Sequence, residues 1–236
     1  MRTHNRTALI TGGSRGLGFT IADFLAAQGY DLVITARGDE ELQSAARKLR
    51  RHGGEVTALA GSVTDPEHRR GLIRELGRLD ILLNNASTLG VSPLPSLTEY
   101  PQAELEEAFR VNVLAPISLV RETLPLLEKS GGLIVNISSD AALGGYPGWG
   151  GYGLTKAALD LASLTMAKEL SVGIVSVDPG DLRTRMHQEA FPGEDISDRP
   201  LPDVTLPFWA WLFGQPPAAV TGQRYKAQAA TWEVAA

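Results

Sequence analysis

Cysteine is absent from the 236 residues, which removes disulfides and thiolate metal sites. Histidine is scarce as well: four residues, scattered without ligand spacing, so no metal centre is expected. No basic run is longer than Arg50-Arg51 or Arg69-Arg70, and the net charge is −5. A nucleic-acid partner is therefore not expected. Long apolar runs are missing too. LPFWAWLF falls far below the ~20 residues that span a bilayer, and MRTHNRT leads into a run too short for the core of a signal peptide. These absences predict a cytoplasmic chain with no membrane partner. What remains is ordinary for a globule, 43% hydrophobic and 21% charged residues, in a length that suits one α/β domain over 1–236.

The stretch from Gly132 to Lys156 organises the rest. Leu133 to Ile137 is apolar and β-branched without strict alternation, as expected of a strand covered on both faces of a parallel sheet. It delivers Ser138 and Ser139 to its carboxyl end. A loop rich in Gly and Pro follows, and a helical pattern then opens at Tyr152 and continues as AALDLASLTMAKEL. Four residues apart on a helix, Tyr152 and Lys156 share one face. An ammonium beside a phenol favours the phenolate and lowers its pKa toward the working range of a general acid/base.

Apolar runs alternate with amphipathic helical stretches from the start, the pattern of a doubly wound parallel sheet of Rossmann type. TALIT enters the glycine-rich turn GGSRGLG, after which Leu17, Ile21, Phe24, Leu25 and Gln28 fall at helical spacing up to Gly29. Strand, glycine turn and helix in that order form a phosphate cradle. Gly12, Gly16 and Gly18 let the backbone approach, and the helix N-terminus offers free N–H groups. DLVITAR reads as the second strand. Its tip is Ala36-Arg37, with no carboxylate until Asp39, which is expected to cap the next helix. EVTALAGSV, LDILLNNAS, VGIVSVDPG and TGQRYKAQ supply further strands, and Asp65-Pro66 starts a helix. Pro116 interrupts a helical tract between Pro101 and Lys129, which leaves a carbonyl near Asn112 without its helical donor.

Together the glycine turn T-G-x-x-x-G-x-G, Asn84-Asn85-Ala86, Asn112 in R-V-N-V-L-A-P, Ser139, and Tyr152-x-x-x-Lys156 resemble the short-chain dehydrogenase/reductase family, from Thr7 to about Thr184. The resemblance implies an oxidoreductase that moves a hydride between a nicotinamide cofactor and a small carbonyl or alcohol substrate. Catalysis would fall to Asn112, Ser139, Tyr152 and Lys156. Ser139 stands thirteen residues before Tyr152, as in the family, and Asn112 would bind a proton-relay water. Cofactor contacts would come from Gly12, Ser14, Arg15, Gly16, Leu17, Gly18, Arg37, Ser62, Val63, Asn85, Ala86, Tyr152, Lys156, Pro179, Gly180 and Thr184.

Arg15 and Arg37 look like an NADP(H) signature rather than an NAD(H) one, although either could be merely solvated. Ser62 stands where the family has an Asp that meets adenine, and Ser87 where the Asn-Asn-Ala motif continues with Gly. Leu143, Tyr146 and Trp149 are candidates for the substrate wall. The segment at about 186–217 is expected to act as a lid; its PFWAWLF could cover the substrate, pack on the sheet or form a subunit contact. A homodimer or homotetramer is expected from the family. The alternatives are an NAD-dependent alcohol or sugar dehydrogenase and a non-catalytic cofactor sensor.

Overall fold

The structure is a computed structural model and describes residues 5–234. Expectations for the start of MRTHNRT and for the outer ends of the 1–236 domain lie outside the described residues. Strands run Thr7–Thr11 (β1), Asp31–Ala36 (β2), Val56–Ala60 (β3), Ile81–Asn84 (β4), Leu133–Ile137 (β5), Gly173–Asp178 (β6) and Arg224–Lys226 (β7). Helices run Gly16–Ala27 (α1), Asp39–Leu49 (α2), Pro66–Arg74 (α3), Gln102–Phe109 (α4), Ala115–Ser130 (α5), Gly150–Glu169 (α6), Arg185–Ala190 (α7), Leu206–Phe213 (α8) and Pro217–Val220 (α9).

All seven strands are parallel, in the order β3-β2-β1-β4-β5-β6-β7. The order reverses between β1 and β4, the crevice where ligands of such sheets bind. Alternate side chains of each strand feed opposite layers. Ala8, Ile10, Leu83, Val135 and Val177 pack with α1, α2 and α8, while Leu9, Leu82, Ile134 and Ile174 pack with α3 and α5. With both faces covered, the strands read as continuous apolar runs, as the sequence led one to expect.

Local signals explain most of the helix ends. Asp65 accepts a hydrogen bond from the Glu67 amide at 2.9 Å and caps α3. Asp39 does not cap α2: Gly38 holds the cap position, and Asp39 lies in the first turn, where its carboxylate accepts from Gln43 at 3.1 Å. There it still complements the helix dipole. The tract carrying Asn112 is not one smooth helix. A π turn over Arg110–Leu114 joins α4 to α5, next to Pro116, whose missing N–H denies the Asn112 carbonyl an α-helical partner.

The segment expected as a lid divides into two parts. Residues 185–191 lie beside Tyr152, through Met186, Ala190 and Phe191. PFWAWLF belongs instead to the core. Phe208, Trp209 and Leu212 are fully buried, Phe213 stacks on Phe24 of α1 at 6.4 Å, and the Trp209 indole donates to Thr205 at 2.8 Å. Of the three places open to PFWAWLF, the structure shows packing on the sheet, because three large apolar side chains in eight residues are too costly to leave in water.

Candidate active site

The residues singled out above converge on one edge of the sheet, because each follows the carboxyl end of a strand. Gly12 to Gly18 follow β1, Arg37 follows β2, Ser62 and Val63 follow β3, Asn85 and Ala86 follow β4, Ser139 follows β5, and Pro179 to Thr184 follow β6. Thr184 Cγ2 lies 3.5 Å from the position of a β-carbon on Gly16, which brings the end of β6 against the glycine turn.

That turn is shaped to receive an anion. Gly12 has φ +67°, a region that side chains disfavour, and a β-carbon on Gly18 would collide with the Gly12 carbonyl and the Asn85 amide. Asn85 Nδ2 donates to the carbonyls of Thr11 and Gly12 at 2.9 and 3.1 Å. Helix α1 then begins with no side-chain cap and no acidic residue in its first turn. Its amides and the positive end of its dipole are left for a ligand such as a pyrophosphate. The residues present thus fit a dinucleotide.

Further along the edge the two arginines differ. Arg37 is exposed, with no hydrogen bond or ion pair among the described residues. Arg15 pairs with Glu41 of α2 at 2.8 Å, and Ser14 Oγ also donates to Glu41, at 3.4 Å. Ser62 turns on itself: its hydroxyl bonds Thr64 Oγ1 at 2.8 Å and accepts from the Thr64 amide. Val63 is buried, and its carbonyl accepts from Arg69 at 2.9 Å.

The centre of the edge is Lys156. The side chain is 2% exposed, yet its ammonium has a single hydrogen bond, to the Ile137 carbonyl at 2.8 Å, and no ion pair among the described residues. Burial pushes its pKa down to about 8, against the opposing carboxylate of Asp160. Nζ lies 5.4 Å from the centroid of the Tyr152 ring, so the pair does share a helix face.

The expected lowering of the phenol pKa is not found. Burial raises Tyr152 far above the usual tyrosine range; a hydrogen bond with Ser87 offsets part of this, and Asp178 and Asp140 add to the rise. Two buried groups both resist charge, and the ammonium faces the ring and the Ile137 carbonyl instead of bonding the hydroxyl.

Ser87 stands out in the sequence only as a replacement for Gly. Its φ is not positive, and its hydroxyl donates to Asn112 Oδ1 at 3.0 Å. The signal was available: a hydroxyl replacing hydrogen beside a family motif adds a donor to the site. Asn112 has no spare side-chain capacity. Oδ1 also accepts from the Thr88 amide, and Nδ2 donates to the Thr88 carbonyl and to Thr155 Oγ1.

The two serines diverge. Ser138 is buried and donates to Asp160 at 2.7 Å, while Ser139 is partly open, donates to Asp140 and accepts from the Ala141 amide. Trp149 meets the Tyr152 ring edge-on at 5.8 Å and Phe191 at 5.9 Å, in a small apolar cluster with Leu89, Ala141 and Ala190. Leu143 and Tyr146 are exposed and lie outside that cluster. No helix is long and apolar enough to cross a membrane, and no cluster of metal-binding residues occurs, among the described residues.

Comparison with known proteins identifies the family. The short chain dehydrogenase family model matches residues 6–195. The short chain dehydrogenase asqE of Emericella nidulans is 36% identical over 176 residues, 70% of this chain and 65% of that protein's length. Cyclopentanol dehydrogenase of Comamonas testosteroni is 31% identical over 196 residues, 80% of this chain and 77% of its own. A solved structure of a short chain dehydrogenase from Shigella flexneri, complexed with NADP, matches at TM-score 0.88 with 28% identity, over 96% of this chain and 98% of that one. With its parallel sheet, its glycine turn and a buried Tyr-Lys pair beside the end of β5, the chain belongs to the short-chain dehydrogenase family of oxidoreductases.

Proposed function

We propose that the protein interconverts a carbonyl compound and a secondary alcohol with NADP(H), using Ser139, Tyr152, Lys156 and Asn112. The observation that carries this reading is the buried Lys156 ammonium, held by one carbonyl and, among the described residues, paired with no carboxylate. A lone buried cation is expensive to keep, and such groups concentrate where chemistry uses them.

Bound nicotinamide would supply the hydride to the carbonyl carbon, or accept it from the alcohol. Gly12, Ser14, Gly16, Leu17, Gly18 and Thr184 would hold the pyrophosphate side. Val63, Asn85 and Ala86 would line the nucleoside, and Pro179 and Gly180 the ring. Ser62 could meet adenine only by sharing an oxygen already used by Thr64. In reduction Ser139 holds the substrate oxygen, and Tyr152 gives that oxygen its phenolic proton. The phenol is raised by burial, so it carries its proton throughout the neutral range, the form that donates. Lys156 restrains the negative charge that develops on Tyr152 and has donors free for the ribose. Asn112 contributes through its main-chain carbonyl, which Pro116 leaves without an α-helical donor; its side chain is fully engaged.

Arg37, without a partner among the described residues, favours the 2′-phosphate of NADP(H), as does the NADP complex of the Shigella flexneri relative. Exposed Leu114, Leu154 and Leu161 around α5 and α6 favour self-association as a dimer or tetramer. Purified protein given NADPH and a panel of ketones beginning with cyclopentanone should consume nicotinamide absorbance. Tyr152→Phe should abolish that loss and still bind NADPH; a variant as fast as wild type would refute the reading.

A further inference from the structure

Arg224 lies on β7, two strands away from the serine at the end of β5. It pairs in register with Ser176 of β6, and its side chain crosses β6 to reach the end of β5. There the guanidinium donates to the Ser139 carbonyl at 2.7 Å and to Asp160 at 2.9 Å, and stands 3.6 Å from Asp178. The side chain is 21% exposed, so these contacts are sheltered from solvent.

The ladder between β5 and β6 ends at Ile137 and Val177, with one more bond from the Ser138 amide to Val177. Ser139 is past that ladder. Its carbonyl is fastened by an arginine and not by the sheet. The same Asp160 oxygen accepts from Ser138, its other oxygen has no partner, and it lies one helical turn beyond Lys156. Planar and bidentate, the guanidinium bridges a carbonyl and a carboxylate as a lysine cannot.

We infer that Arg224 is a positioning residue: it fixes the main chain of Ser139 where the substrate oxygen is held, and it neutralises Asp160 beside Lys156. The inference rests on the roles proposed above for Ser139, Tyr152 and Lys156. The charged and titratable groups facing this bridge are Asp160 and Lys156 on α6, Asp178 on β6, Asp140 after Ser139, and Tyr152. With the arginine removed, Asp160 acts on Lys156 and Asp178 on Tyr152 without its opposing charge. Lys156 then holds its proton to higher pH, and so does Tyr152.

The test uses the full chain with Arg224→Met and Arg224→Lys. Turnover is measured with NADP and the fastest of a panel of secondary alcohols that includes cyclopentanol. NADP affinity is measured separately. The Lys156 side chain is titrated by carbon NMR without cofactor, its signal assigned by Lys156→Met.

For Arg224→Met, kcat should fall about ten- to a hundredfold from misplacement of Ser139. NADP affinity should hold, and both the Lys156 midpoint and the rising limb of alcohol oxidation should move to higher pH. Arg224→Lys should return the midpoint to that of the wild type while kcat stays low, since charge is restored without the bridge. If the methionine variant does not fold, the lysine variant decides: low kcat with an unmoved midpoint supports the inference, and wild-type kcat overturns it. If wild type is active and both variants match it in kcat and midpoint, Arg224 is only structural. If wild type turns over no alcohol and no ketone, the functional reading itself falls, and the inference with it.

Discussion

Lys156→Met should make the apoprotein's stability respond differently to pH. In the folded state burial holds the lysine pKa at about 8, against 10.5 for the free side chain. A base with a depressed folded pKa binds fewer protons folded than unfolded between those two values, so stability rises with pH across that window. Below about pH 8 the wild type carries the full penalty of a buried ammonium; above it the penalty fades. The shift converts to about 3 kcal/mol at most, and to roughly 2 kcal/mol by pH 10, beyond which tyrosines begin to titrate. Methionine nearly matches the apolar stem and has no proton to lose. Urea unfolding of both proteins without cofactor, at intervals from pH 7 to 10, supplies the difference. The wild type should gain on the variant as pH rises, by about 2 kcal/mol in total. Parallel curves would refute the reasoning, because they would mean the folded and unfolded lysines titrate alike.

Other perturbations probe other parts of the account. Glu41→Gln should free Arg15 and tighten NADPH several-fold with little change for NADH, while Arg37→Asp should weaken NADPH by about ten- to a hundredfold, as expected for loss of a charged hydrogen bond. Fluorescence titration with both cofactors checks the pair, and unchanged preference in both variants would remove the arginines from cofactor selection. Ser87→Gly removes a hydrogen bond that lowers the Tyr152 pKa, so the rising limb of alcohol oxidation should move to higher pH and turnover should fall several-fold; an unmoved limb would leave Ser87 a spacer. Trp209→Ala should cost about 3–5 kcal/mol of stability, as for other large buried side chains, with NADPH affinity retained in the folded fraction. Lost affinity at unchanged stability would return PFWAWLF to the lid.

The fold, and the gathering of the candidate residues along one edge of the sheet, were legible because they are written locally. A buried parallel strand declares itself as an apolar run, a phosphate turn by its glycines, and Tyr152 and Lys156 by one helical turn. What escaped depends on distant residues. Nothing near Arg224 in sequence announces that its side chain crosses β6 to Ser139, 85 positions away, or that Glu41 claims Arg15. The sign of the Tyr152 shift was misjudged because spacing reports proximity to Lys156 and says nothing of how deeply both are buried. PFWAWLF was ambiguous for a similar reason: a short apolar helix looks the same whether it covers a ligand or, as Phe208 and Trp209 do, a sheet.

The most direct measurement of the central claim follows a label. The protein, supplied with NADPH carrying deuterium at the transferred position and with the best ketone of the panel, should return an alcohol with deuterium on its carbinol carbon. Tyr152→Phe should bind the labelled cofactor and deliver almost none of it. Deuterium transferred equally by both proteins, or by neither across the whole panel, would contradict the assignment of Tyr152 and Lys156 as the centre of the chemistry.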